Sequence, residues 1–200
     1  IYCNDIQTDH CRFVSEGVWN GDGWDPDSST HCTLFASEFS TGDDAVAIKS
    51  GKNPEGNEIN RPCAHIKVFD CRSECGHGIC IGSEMSGGVE DVQIWDCDLA
   101  ESLSGIEIKA TPKRGGYVRG VTVRDCTAPR VMLHSVSYND DGEPAAQPPK
   151  FSHCFFERLT LTGEMLDHDR TRHEVAPIEI SGFEKAGFES CADDENDVPD

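Results

Sequence analysis

The sequence predicts an all-β fold, a right-handed parallel β-helix, on three observations. First, a four-residue strand with apolar side chains at its first and third positions recurs along the chain. It reads Trp24-Asp25-Pro26-Asp27, Val46-Ala47-Ile48-Lys49, Ile79-Cys80-Ile81-Gly82, Ile106-Glu107-Ile108-Lys109 and, late, Ile178-Glu179-Ile180-Ser181. Second, another strand family precedes these: His65-Ile66-Lys67-Val68-Phe69, Val92-Gln93-Ile94-Trp95 and Val121-Thr122-Val123, each running into an Asp-Cys pair. Third, the recurrences fall 22, 33 and 27 residues apart with no helical periodicity between them, the signature of one coil stacked on the next.

Each element follows from that scheme. Val46, Ile79 and Ile106 stack inside as one ladder, and Ile48, Ile81 and Ile108 as the next. Each such burial stabilises by roughly 1.5–3 kcal/mol. An antiparallel sandwich would want hairpin turns and more even spacing. Residues 1–191 read as one β-helix domain, and residues 192–200 as an acidic tail with the disorder that a run of like charge brings. The stretch Asn139 to Pro149 reads as a loop from its Asp, Gly and Pro content. A chain that begins at Ile1 only some 20 residues before its first carboxylate site is expected to be a mature chain or internal fragment lacking N-terminal coils.

Composition narrows the partners. The net charge of -20, from 37 acids against 17 bases, argues against nucleic acid. No run of 18 apolar residues exists to cross a membrane. The eleven cysteines recur at one register, Cys71, Cys97 and Cys126, which favours a buried ladder of thiols over disulfides or a metal site. Cys71, Cys75, Cys80 and His77 are the best metal-ligand candidates by type, but their spacing misses the usual C-x2-C pattern. The Asp167-His168-Asp169-Arg170 stretch with His173 reads as a solvated loop for similar reasons.

Chemistry concentrates just before the recurring strand. Asp22, Asp44, His77 and Ser104 each stand two residues ahead of it, so coils about 4.8 Å apart place them in one column, with Asp43 beside them. Strict alternation would turn these polar groups inward at a cost of several kcal/mol each. The strand regularity must therefore break there, and Gly21, Gly23, Gly42, Gly76 and Gly78 make a break feasible. Glu107, Lys109 and Lys49 fall on the outward face of the same strands. Crowded carboxylates hold a proton near neutral pH. Three of them with a histidine suit hydrolysis of a glycosidic bond, one acid protonating the leaving oxygen while others activate water.

At these residues the chain resembles the polygalacturonases of glycoside hydrolase family 28. Asn20-Gly21-Asp22 stands for the family's Asn-Thr-Asp and Gly42-Asp43-Asp44 for its Gly-Asp-Asp. Gly76-His77-Gly78 stands for its Gly-His-Gly and Glu107-Ile108-Lys109 for its Arg-Ile-Lys, all in the family's order. The resemblance implies a pectin lyase-like solenoid and a pectic poly- or oligosaccharide as partner. It implies Asp43 as general acid and Asp22 and Asp44 as the pair that holds and deprotonates water, with inversion. His77 would tune the acid, and Lys109 would bind substrate. It implies no metal or organic cofactor, a monomer, and a secreted or periplasmic location. Tyr138 lies where the family often has a substrate-binding tyrosine.

The departure is Glu107, where the family's arginine would meet a galacturonate carboxylate. A glutamate there implies a neutral or decorated unit, as in rhamnogalacturonan or xylogalacturonan or a capped oligosaccharide, unless Arg114 or Arg119 reaches in from a neighbouring loop. Two other readings stand beside the hydrolase. One is a non-catalytic carbohydrate-binding β-helix of a surface protein. The other is a polysaccharide lyase, which would want a Ca²⁺ site and a basic side chain as base.

Overall fold

The computed structural model describes residues 1–138 and 142–182; the acidic tail and the first residues of the Asn139–Pro149 loop lie outside them. Two parallel sheets form the body. The back sheet stacks Asn4–Asp9, Thr30–Ser40, Cys63–Ser73, Val89–Trp95, Tyr117–Arg124 and Lys150–Glu157 in chain order. The site sheet stacks Asp44–Ile48, Gly78–Ile81, Gly105–Ala110, Arg130–Ser135 and Ile178–Ile180, and a bridge from Trp24 to Val46 extends it by one coil. The expected parallel β-helix is therefore present.

The ladders are those the periodicity predicts. Val46 pairs with Ile79 and Ile79 with Ile106; Ile48 pairs with Ile81 and Ile81 with Ile108. The structure adds one coil that the period missed. Val131 and Leu133 of Arg130–Ser135 sit between Ile106/Ile108 and Ile178/Ile180. That strand is an apolar run, Val131-Met132-Leu133, rather than an alternation, so it did not match the template. Opposite, Ile66, Val92 and Val121 stack in the back sheet, and all of these side chains except the terminal Ile178 and Ile180 are buried. Dispersion and the removal of apolar area from water hold the coils together.

The Asp-Cys corners have a clear local cause. Asp70, Asp96 and Asp125 all take left-handed backbone, with φ of 52, 53 and 56°, which Asp tolerates better than most residues. The next residue then turns inward. The thiol of Cys97 lies against those of Cys71 and Cys126, and all three are buried. No described cysteine forms a disulfide with another described one, and only Cys3 and Cys11 are exposed; Cys191 lies outside the described residues.

Two features depart from plain stacking. The insertion after the second coil carries a single helical turn, Glu55–Ile59. Further on, Glu164–Leu166 and Arg172–Glu174 pair antiparallel, a hairpin off the solenoid. Its tip folds back across the coils, where Arg170 donates to Glu16 at 2.6 Å and to the carbonyl of Glu74 at 3.0 Å. Asp167 and His173 of the same hairpin bond each other at 2.6 Å.

Candidate active site

A bulge positions the site. Asp44 pairs with Gly78, but Val46 pairs with Ile79, so Ala45 is an extra residue on that strand. The expected break thus lies just after the aspartates, and it corrects the column. Asp43, not Asp44, stands level with His77, whose backbone N–H donates to the Asp43 carbonyl at 2.9 Å. Ser104 is buried behind the sheet line, donating its N–H to the His77 carbonyl, and has no part in the cleft. Gly76 and Gly78 hold His77 between them at φ of +82 and +96°. A Cβ on either would lie 2.3 Å from a carbonyl oxygen, that of Asp43 or of Gly105, so the close approach of coils here requires glycine.

Asp22, Asp43, Asp44, His77, Lys109 and Tyr138 line one open cleft of about 560 Å³, with Lys49 at its edge. The imidazole of His77 stands between the two aspartates, Nδ1 lying 2.8 Å from Asp43 Oδ1 and 3.1 Å from Asp44 Oδ1. Burial works against its charge, but those two carboxylates outweigh it and push His77 up to about 10. Asp43 is half-buried; burial raises its carboxyl, but the hydrogen bond and charge of His77 prevail and hold it below the usual value. Asp44 is buried deeper, and there burial wins and raises the carboxyl. Two adjacent aspartates thus differ in proton affinity because one is further from water.

Asp22 lies beside them, Oδ1 accepting the Asp44 backbone N–H at 3.2 Å. Lys49 Nζ donates to Asp22 Oδ2 at 2.9 Å and to Asp25 Oδ2 at 3.2 Å. Burial, with Asp22 alongside, pushes Asp25 up to about 7 despite Lys49. Lys109 Nζ lies 3.5 Å from Asp44 Oδ2 and 3.7 Å from Glu107 Oε2. Glu107 lies beneath Lys109 and is itself held by His134 Nε2 at 2.6 Å. Burial would raise the Glu107 carboxyl; His134 and Lys109 bring it down to about 2.

Neither arginine reaches the cleft to replace the missing one. Arg114 is fully buried and donates to the Ser83 carbonyl, Asn53 Oδ1 and Glu84. Arg119 is exposed on the back sheet and bonds Glu90 at 2.7 Å. The cysteine set with His77 does not assemble as a metal site. Among the described residues the groups with ligand atoms close enough to share an ion are Asp43, Asp44 and His77, and Asp44, Cys80 and Glu107; the lysine beside each is a competing cation.

The structure also brings in residues that sequence reasoning did not place. Asn20 Nδ2 donates to Asp43 Oδ2 at 3.1 Å, and its motif position was the available signal. His134 stands opposite Lys109 in register, which only recognition of the Arg130–Ser135 coil could show. His168, from the hairpin tip, places its ring 5.6 Å from that of His77; nothing local to residue 168 signals that.

A parallel β-helix with carboxylates, an imidazole and lysines in an open cleft on one sheet defines a class by architecture, the β-helical proteins with an acidic surface cleft. Comparison with known proteins narrows it. The model for glycosyl hydrolases family 28 matches residues 1–147, and the chain belongs to that family. It is 40% identical over 110 residues to a probable polygalacturonase of Vitis vinifera, covering 54% of this chain and 22% of that one. It is 33% identical over 166 residues to an endo-polygalacturonase of Pectobacterium carotovorum subsp. carotovorum, covering 81% of this chain and 39% of that one. The fold matches the family 28 exopolygalacturonase of Yersinia enterocolitica with a TM-score of 0.71 at 23% identity, over 79% of this chain and 29% of that one. The chain thus spans well under half the length of these relatives.

Proposed function

We propose that the protein hydrolyses glycosidic bonds in a pectic poly- or oligosaccharide, acting as an inverting acid–base hydrolase. The observation that carries this reading is His77 held between Asp43 and Asp44, with Asp22 bonded to the same backbone, in one cleft. A binding protein needs no such set. Asp43 is the general acid. In the empty cleft the proton rests on His77, whose Nδ1 is 2.8 Å from Asp43. A sugar chain laid over Asp43 removes its water and raises its pKa, so the proton passes to the carboxyl and on to the leaving oxygen. Asp22 and Asp44 hold the water that attacks the anomeric carbon from the other face. Lys109 and Tyr138 contact the sugar. A substrate of the plant cell wall goes with a secreted or periplasmic location, and nothing in the chemistry asks for more than a monomer.

Release of reducing ends from a panel of pectic polymers tests the reading. Asp43→Asn, which keeps shape and loses the proton, should lower kcat by roughly 10²–10⁴-fold while the fold, checked by circular dichroism, persists. Activity that survives the substitution removes Asp43 from its role. Activity that depends on Ca²⁺ and yields an unsaturated product would make the protein a lyase.

A further inference from the structure

The cations of the cleft share one arrangement. Lys49 stands between Asp22 and Asp25, at 2.9 and 3.2 Å. His77 stands between Asp43 and Asp44, at 2.8 and 3.1 Å. Lys109 stands between Asp44 and Glu107, at 3.5 and 3.7 Å. Each positive group that lines the cleft among the described residues is thus already flanked by two carboxylates. Glu84 adds a further acid to the wall, and the buried Arg114 behind it turns its guanidinium to Ser83, Asn53 and Glu84. A carboxylate arriving on a sugar would find no cation without two acidic partners and would face a wall with more acids than bases. Like charges brought together in a partly buried site oppose binding.

We infer that the sugar unit seated over Lys109 is an uncharged one, a neutral sugar or a uronate whose carboxyl is esterified, and that Glu107 sets this preference. The inference rests on the hydrolase reading for its substrate class. With Asp44 and Glu107 on either side, Lys109 serves as a hydrogen-bond donor rather than as a counter-ion for a sugar carboxylate. Its partners lie beyond 3.4 Å, which leaves its N–H groups able to reach a hydroxyl or an ester carbonyl oxygen. Glu107 is kept ionised and fixed under it by the 2.6 Å bond from His134. Both acid and histidine are nearly buried, so water screens their effect on Lys109 weakly.

The test compares oligosaccharides of equal length in three forms: galacturonate with free carboxyls, its methyl ester, and an alternating chain of galacturonate and neutral deoxysugar. Binding is measured by calorimetry on the Asp43→Asn protein, and hydrolysis on the wild type. The ester or the alternating chain should bind at least about tenfold tighter than the free acid, and which of the two does so identifies the source of the uncharged unit. Raising the ionic strength should narrow the difference only slightly, because the acid that causes it is nearly buried. Glu107→Gln, which keeps the shape and an acceptor for His134, should shift the ratio about tenfold toward the free acid. Equal or tighter binding of the free acid by the Asp43→Asn protein with Glu107 intact overturns the inference, whatever the Glu107→Gln change does in that background. Preferential binding without hydrolysis in any arm would retain it and remove the hydrolase reading. Fast hydrolysis of the free acid would do the reverse, and no binding in any arm would remove both.

Discussion

His77 is the residue on which the acid–base reading turns. Its pKa of about 10 against an unfolded value of 6.5 arises because the folded chain alone presents Asp43 and Asp44 to the imidazolium. The stabilisation from this pairing is complete below 6.5, where the unfolded chain is protonated as well. It declines above that and is lost as pH rises through about 10. The melting temperature of the wild type should therefore fall more steeply between pH 7 and 10 than that of His77→Gln. Parallel curves would show that the two aspartates do not hold a proton on the ring. Asp44 and His77 were legible in the sequence because each stands two residues before a recurring strand, and Asp43 because it adjoins Asp44, although the bulge levels Asp43 rather than Asp44 with His77. Glu107 was legible as a departure from a motif. Its partner His134 was not, since a histidine ending an apolar run carries no signal until the run is known to lie beside Lys109.

At the scale of the element, the site depends on one extra residue in one strand and two glycines in the next. Ala45 is the inserted residue that levels Asp43 with His77, and Gly78 lets the coils close at φ of +96°. Gly78→Ala should destabilise by about 1–3 kcal/mol, seen as a lower denaturation midpoint, because its Cβ would lie 2.3 Å from the Gly105 carbonyl oxygen. Ile106→Ala, in the ladder behind the cleft, should cost about 2–5 kcal/mol through the cavity it leaves. A midpoint unmoved by Ile106→Ala would mean that the coils are not held by that ladder. The glycines announced a break in the strand, but the place of the bulge could not be read. A one-residue insertion on a strand whose neighbours are apolar on both faces, Ala45, Val46 and Ala47, leaves the period-2 pattern unreadable.

Across the whole molecule, the cysteines and the charge are the distinctive properties. Eight of the ten described thiols are buried and two, Cys3 and Cys11, are exposed. A thiol reagent should react quickly with those two in the native protein, Cys191 aside, and with the buried eight only after unfolding. Slow native reaction at Cys3 and Cys11, or fast reaction of the ladder Cys71, Cys97 and Cys126, would contradict the packing. The same stacking that buries the thiols makes the body of the fold quasi-one-dimensional, each sheet strand pairing only with the strands next to it. For this reason a repeated pattern in sequence maps directly onto the sheets.

What the sequence determined by itself is therefore the solenoid and the identities of its acidic centre. Both are periodic, and a period survives translation into three dimensions when each coil repeats the last. What only the tertiary structure decided is the pairing of charges across coils. Lys49 with Asp22 and Asp25, Lys109 with Asp44 and Glu107, and His134 with Glu107 each join residues from different strands. Which partner a side chain meets there depends on a bulge, a register and a few tenths of an ångström of reach, and the narrow distance and angle range of a hydrogen bond cannot be settled by the order of residues alone.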